Sequence, residues 1–123
     1  MERPALTDLT EEESLFRATV RGFAEERLRP LAAEMDRDGK LRSEVVPWLF
    51  ELGLMGIEVP EALGGAGATF FMSILAIEEL ARVDPSVAVL CDVQNTLVIN
   101  AVEKFGNSEQ QERILGRLAG GSV

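Results

Sequence analysis

Residues 69–105, TFFMSILAIEELARVDPSVAVLCDVQNTLVINAVEKF, decide the fold. Thr69 is a helix cap. Behind it Phe70, Phe71, Ile74, Leu75, Ile77, Leu80 and Ala81 spread apolar surface over more than one side of a helix, the mark of a central element. Asp84-Pro85 then closes one helix and opens the next, with Asp as cap and Pro at the first helical position, where its missing N–H matters least. The second helix runs from about Ser86 to Lys104, is again largely apolar, and ends at Gly106. Two successive helices with this much apolar surface belong to the middle of a helical bundle.

The flanks fit around that centre. Upstream, Thr10 followed by Glu11, Glu12 and Glu13 combines a hydroxyl cap, acids in the first turn and a capping box. Leu15, Phe16, Val20, Phe23, Ala24, Leu28 and Leu31 follow at three- and four-residue spacing, and the pattern stops at Asp38-Gly39. Pro30 falls inside this stripe and predicts a kink or split. A second helix is expected from a Ser43 cap through Val45, Val46, Trp48, Leu49 and Leu52, ending at Gly53. Residues 54–68, LMGIEVPEALGGAGA, form the one long non-helical stretch, with Ile57 and Val59 briefly extended. Downstream, Asn107 or Ser108 caps a last amphipathic helix through Ile114, Leu115 and Leu118, closed by Ala119-Gly120-Gly121. The expectation is an all-α bundle of five or six helices in one domain, residues 1–123.

Composition removes much chemistry. Twelve Lys+Arg against 21 Asp+Glu leave a formal charge of −9. Clustered cations are what phosphate contacts require, so nucleic acid is excluded as a partner and an anionic membrane surface would repel the chain. There is one cysteine and no histidine. Disulfides within the chain, common zinc and haem ligand sets, and Ser-His or Cys-His nucleophiles therefore cannot be assembled. The apolar runs are broken by Glu, Arg or Asp short of the ~20 residues of a membrane span. Met1–Thr10 lacks an apolar leader run, giving a cytoplasmic, bacterial location as the expectation.

Local motifs are weak by themselves. Gly64-Gly65-Ala66-Gly67 lacks the Lys of a phosphate loop and the spacing of a dinucleotide fingerprint; a turn with positive φ or close backbone approach explains it. Glu78 and Glu79 point about 100° apart on a helix, so they cannot form an acid/base couple; one pairs with a cation such as Arg82. Cys91 reads as a small core residue and Trp48 as core or subunit contact. The polar residues among Leu90–Asn100 either satisfy groups at buried helix crossings or line a ligand cavity.

Four segments in order carry a resemblance. LTEEESLFRATVRGFAEERLRPLAAEMDRDG, ELGLMGIEVPEALGGAGA, AIEELARVDPSVAVL and KFGNSEQQERILGRLAGG resemble the amino-terminal helical domain of the acyl-CoA dehydrogenases over nearly the whole chain. LMGIEVP, VAVLCDVQNTLV and the Phe-Gly end look most like short/branched-chain members. One departure is Leu63, where the family usually has an aromatic before the Gly-Gly pair.

The resemblance implies a flavoenzyme holding FAD. Such enzymes oxidise the Cα–Cβ bond of an acyl-CoA thioester to the trans-enoyl-CoA, a carboxylate taking the α-proton and the flavin the β-hydride. Electrons pass to an electron-transfer flavoprotein, and the complete enzyme is a homotetramer. The family's β-domain and its second helical domain, which carries the catalytic glutamate, are expected beyond Val123. This chain is accordingly assigned no catalytic, cofactor-binding or metal residue. It is expected to be inactive alone and to supply part of the acyl-pocket wall through Leu90, Val93, Gln94, Leu97 and Val98, with the 63–67 loop nearby. The alternative is a stand-alone, non-catalytic helical subunit that binds a flavoprotein partner.

Overall fold

The computed structural model describes residues 5–122; Met1–Pro4 and Val123, at the edges of the expected domain, lie outside it. Among the described residues there are five helical rods and no strands. The first rod comprises α1 (Glu11–Phe23), a π segment (Ala24–Leu28) and α2 (Arg29–Asp38). Next come α3 (Val45–Glu51), a 3₁₀ turn at Glu61–Leu63 and α4 (Phe70–Ala81). The fourth rod, Pro85–Phe105, comprises α5 (Pro85–Asp92), a π segment (Val93–Ile99) and α6 (Asn100–Phe105). The last rod is α7 (Ser108–Gly120).

The caps are those expected from local chemistry. Thr10 accepts from the Glu13 N–H while Glu13 reaches back to the Thr10 N–H. Thr69 accepts from Met72, Asp84 from Ser86 and Val87, and Asn107, rather than Ser108, forms a capping box with Gln110. Ser43 is a correction. Glu44 occupies the cap of α3 without a side-chain bond, and the Ser43 hydroxyl turns instead to the Glu44 carboxylate. Ile57 and Val59, expected to be briefly extended, form no strand: they lie in bends whose carbonyls accept from Ala68 and Gly67.

Pro30 acts through its neighbours. The Arg29 N–H bonds five residues back to Ala24, so the helix widens into a π turn just before the ring, which then sits in the first turn of α2. A wider turn gives the ring room that an α turn would deny it. The rod therefore continues across the expected split.

α4 packs on both α1 and α5. The main core joins Phe23, Leu28, Met35, Leu49, Leu54, Ile57, Ala76, Leu80, Val87 and Cys91; a satellite core joins Val59, Ile99 and Leu115. The Pro85–Phe105 rod, 21 residues long, runs between them and is by length and composition apolar enough to cross a membrane. That corrects the expectation that acids interrupt every such run: from Pro85 to Val102 the only charged residue is Asp92. Its inner side is bundle core.

Candidate functional site

The 85–105 rod has two opposite characters. On its inner side Cys91, Asn95 and Ile99 are 0%, 1% and 0% exposed. Asn95 is saturated: Oδ1 accepts the Ile57 N–H at 2.9 Å, and Nδ2 donates to Leu54 O at 2.7 Å and to Cys91 O at 2.9 Å. The Cys91 thiol also donates to Leu54 O, at 3.2 Å. Burial pushes that thiol up to about 12, which removes it as a nucleophile at neutral pH. Between the expected alternatives for this polar run, Cys91 and Asn95 satisfy buried groups at a crossing. The crossing partner is the irregular 54–57 backbone, whose polar groups need partners once buried.

On its outer side the same rod is apolar and open. Val89, Val93, Leu97 and Val98 are 58%, 39%, 61% and 39% exposed, and Leu90 is half-buried against the main core. Gln94 stands between the two sides. Its Nε2 donates to Met55 O at 3.3 Å and Leu118 O at 3.1 Å, binding the loop to α7 and leaving the amide oxygen without an assigned donor. Thus four of the five residues expected in a pocket wall present apolar surface along one rod, while the fifth ties that rod down. Two hollows lie elsewhere: one of about 720 Å³ where the α2–α3 connection meets Val83–Ser86, and one of about 360 Å³ among α1, α4 and the 52–68 segment.

The glycine loop is a structural corner. Gly64 and Gly67 have φ of 89° and 61°, and a Cβ on Gly65 would overlap the Val59 carbonyl. Its amides are spent internally: Gly65, Ala66, Gly67 and Ala68 donate to the carbonyls of Pro60, Gly56, Val59 and Ile57. No amide there is free to cradle a phosphate, and the described residues offer no group of three or more metal-ligating side chains. The glycine loop therefore offers a flavin dinucleotide no phosphate cradle.

The remaining charged features hold the bundle. Glu79, 3% exposed, takes a bidentate grip from Arg21 at 2.8 and 2.9 Å and a third bond from Arg82 at 3.1 Å. Those bonds, Arg21 first, hold its carboxyl below the ordinary range against the opposing effect of burial. Glu78 is exposed, so the pair divides as its 100° offset requires. Glu58 behaves oppositely. Burial, then the charge of Glu103, pushes its carboxyl up, and its buried Oε2 has no partner. Trp48 packs edge-on against Phe23 with Arg27 over its ring, a core-margin role.

The family model described as "Acyl-CoA dehydrogenase, N-terminal domain" matches residues 10–122. The chain belongs to the acyl-CoA dehydrogenase family, as its N-terminal domain. It is 46% identical over 114 residues to the short/branched chain specific acyl-CoA dehydrogenase, mitochondrial, of Bos taurus, covering 93% of this chain and 26% of that protein. A relative in Dictyostelium discoideum, a probable short/branched chain specific acyl-CoA dehydrogenase, is 46% identical over 118 residues, covering 96% of this chain and 29% of its own. Among solved structures, butyryl-CoA dehydrogenase from Megasphaera elsdenii superposes with a TM-score of 0.86 at 31% identity, over 99% of this chain and 32% of that one. The acyl-CoA dehydrogenase domain thus spans between a quarter and a third of the length of these relatives.

Proposed function

We propose that this domain belongs to an FAD-dependent acyl-CoA dehydrogenase that α,β-dehydrogenates a short or branched acyl-CoA, and that it contributes one wall of the acyl pocket. The supporting observation is the open apolar stripe of Val89, Val93, Leu97 and Val98, beside Leu90, on a rod fastened from behind by Asn95 and Gln94. Soluble domains rarely leave a contiguous apolar surface without a partner for it. An acyl chain enclosed against such a wall is recognised by shape and lost water contact rather than by hydrogen bonds.

The chemistry of proton and hydride removal belongs to groups outside this chain in this reading. What the domain supplies is orientation and exclusion of water from one side of the chain. A hydrophobic wall of this kind separates substrates by roughly 10- to 200-fold per methylene. The similarity to short/branched-chain relatives supports the substrate class, and the same reading includes a homotetramer passing electrons to an electron-transfer flavoprotein.

The test is made on the native polypeptide that carries this domain. Purified protein is expected to contain flavin whose visible absorbance bleaches on anaerobic addition of a short branched acyl-CoA. A flavin-loaded polypeptide that bleaches with no acyl-CoA would contradict the proposal. A flavin-free polypeptide that co-purifies with a separate flavoprotein would favour a non-catalytic subunit instead.

A further inference from the structure

The π turn at Val93–Ile99 has a geometric consequence. In an α-helix, residues four apart sit about 40° out of line, and residues eight apart about 80°. Cys91, Asn95 and Ile99 are spaced by four, yet all three are buried along one side. A turn closed five residues back takes more residues to come round, so it returns the drift. The Asn100 N–H bonds to Asn95 O in that way. Val89, Val93 and Leu97 have the same spacing and are brought into line by the same turn on the open side.

A π turn is rare because its backbone geometry is poorer than that of an α turn. No proline lies between Ser86 and Val123 to demand one, and the local contribution is the Thr96 hydroxyl, which donates to Asp92 O and to the Asp92 carboxylate. The hydrogen bonds from the rod to the 54–57 backbone supply the reason. Asn95 meets the Ile57 N–H, Leu54 O and Cys91 O, and it does so with all three together only if it faces inward directly below Cys91. Without that side chain the buried Ile57 N–H loses its acceptor, and the α register becomes the better backbone. Leu97 would then rotate away from the line of Val89 and Val93.

We propose that Asn95 is a positioning residue for substrate specificity: by locking the π turn to the 54–57 loop it sets the register in which Val89, Val93 and Leu97 face the acyl chain. This rests on the acyl-wall reading above. Asn95 does not touch the substrate; it acts through the rod.

The experiment uses the complete flavin-loaded polypeptide and compares kcat/KM for a short branched acyl-CoA with that for a straight-chain acyl-CoA. Asn95→Asp keeps the acceptor for Ile57 but loses both donors, and Asn95→Ser shortens the side chain. Either is expected to shift the branched-to-straight ratio by about tenfold, the scale on which an apolar pocket reads one methylene. Leu115→Ala, which opens a cavity in the satellite core, is expected to lower Tm while leaving that ratio unchanged. Should neither Asn95 variant load flavin, hydrogen exchange of the flavin-free Asn95→Ser polypeptide is expected to quicken first across residues 93–99, and protection there equal to wild type would overturn the proposal. Ratios within about twofold of wild type, despite a lower Tm, would overturn the proposal, since that is below the discrimination of a single methylene. Wild-type protein inactive on every acyl-CoA would instead remove the acyl-wall reading itself.

Discussion

The two π turns of this domain have different origins. That at Ala24–Leu28 lies just before Pro30 and answers a covalent constraint, a ring that an α turn cannot accommodate. That at Val93–Ile99 has no proline near it and answers a tertiary one, the Asn95 bonds to a loop segment 38 to 41 residues earlier in sequence. The first irregularity serves to continue a rod. The second sorts the residues of a rod into a buried core side, pinned by Asn95, and an open apolar side. Local chemistry therefore produces a tolerated bend, and long-range hydrogen bonding produces a surface.

That contrast is open to attack by substitution. The largest effect is expected for Asn95→Leu, which leaves buried backbone groups unpaired and should cost about 3 kcal/mol in unfolding by denaturant. Hydrogen exchange should quicken first across residues 93–99. A loss no greater than that of a surface change would mean that the second π turn stands without its tertiary tie.

Glu79→Gln comes next, at about 2 kcal/mol near neutral pH, less than for a fully buried pair because Arg21 and Arg82 are half exposed. The Glu79 carboxyl is held below its ordinary range, so its contribution is complete above the ordinary carboxylate value. It fades as pH falls through the lowered folded value. Wild type and variant should therefore converge in acid. Exchange at 24–28 should stay unchanged apart from global stability, since that turn is set by Pro30 and not by the α1–α4 ion pair. Selective loosening there would break the comparison.

Pro30→Ala should alter stability by less than about 1 kcal/mol, because the π turn already absorbs the ring. Its informative result is structural, an α register through residues 24–29. The smallest effect belongs to Glu58→Gln. Burial raises the Glu58 carboxyl, so the ionised form is penalised in the fold at neutral pH. The variant should be slightly more stable there, and the gain should shrink as pH drops below the raised folded value and be gone below the ordinary carboxylate value.

Legibility in the sequence follows the same division. Thr10, Thr69, Asp84-Pro85 and Asn107 act within three residues of themselves, so the helix starts could be read directly. Ser43 failed as a cap because the helix begins two residues later, where no side chain completes the bond. Pro30 signalled a disturbance but not its form, since both a break and a π turn accommodate the ring. In the candidate wall, Leu90, Val93, Gln94, Leu97 and Val98 were expected from the family resemblance and not from their spacing. The inward duty of Gln94 depends on Met55 and Leu118, 39 and 24 residues away, which no spacing along one helix reveals. Asn95 was visible as a polar residue in an apolar run, and its role became clear only with the loop in place.

The most direct test of the acyl wall is the chain-length profile of kcat/KM for Val93→Phe in the complete flavin-loaded polypeptide. Val93 is 39% exposed within the domain, so a larger ring there costs little in folding. The account predicts that activity on longer or branched acyl-CoA falls at least tenfold relative to the shortest accepted substrate, as expected for narrowing an apolar pocket by more than one methylene. A profile that keeps the wild-type shape would contradict it, and the stripe of the 85–105 rod would then face something other than the acyl chain.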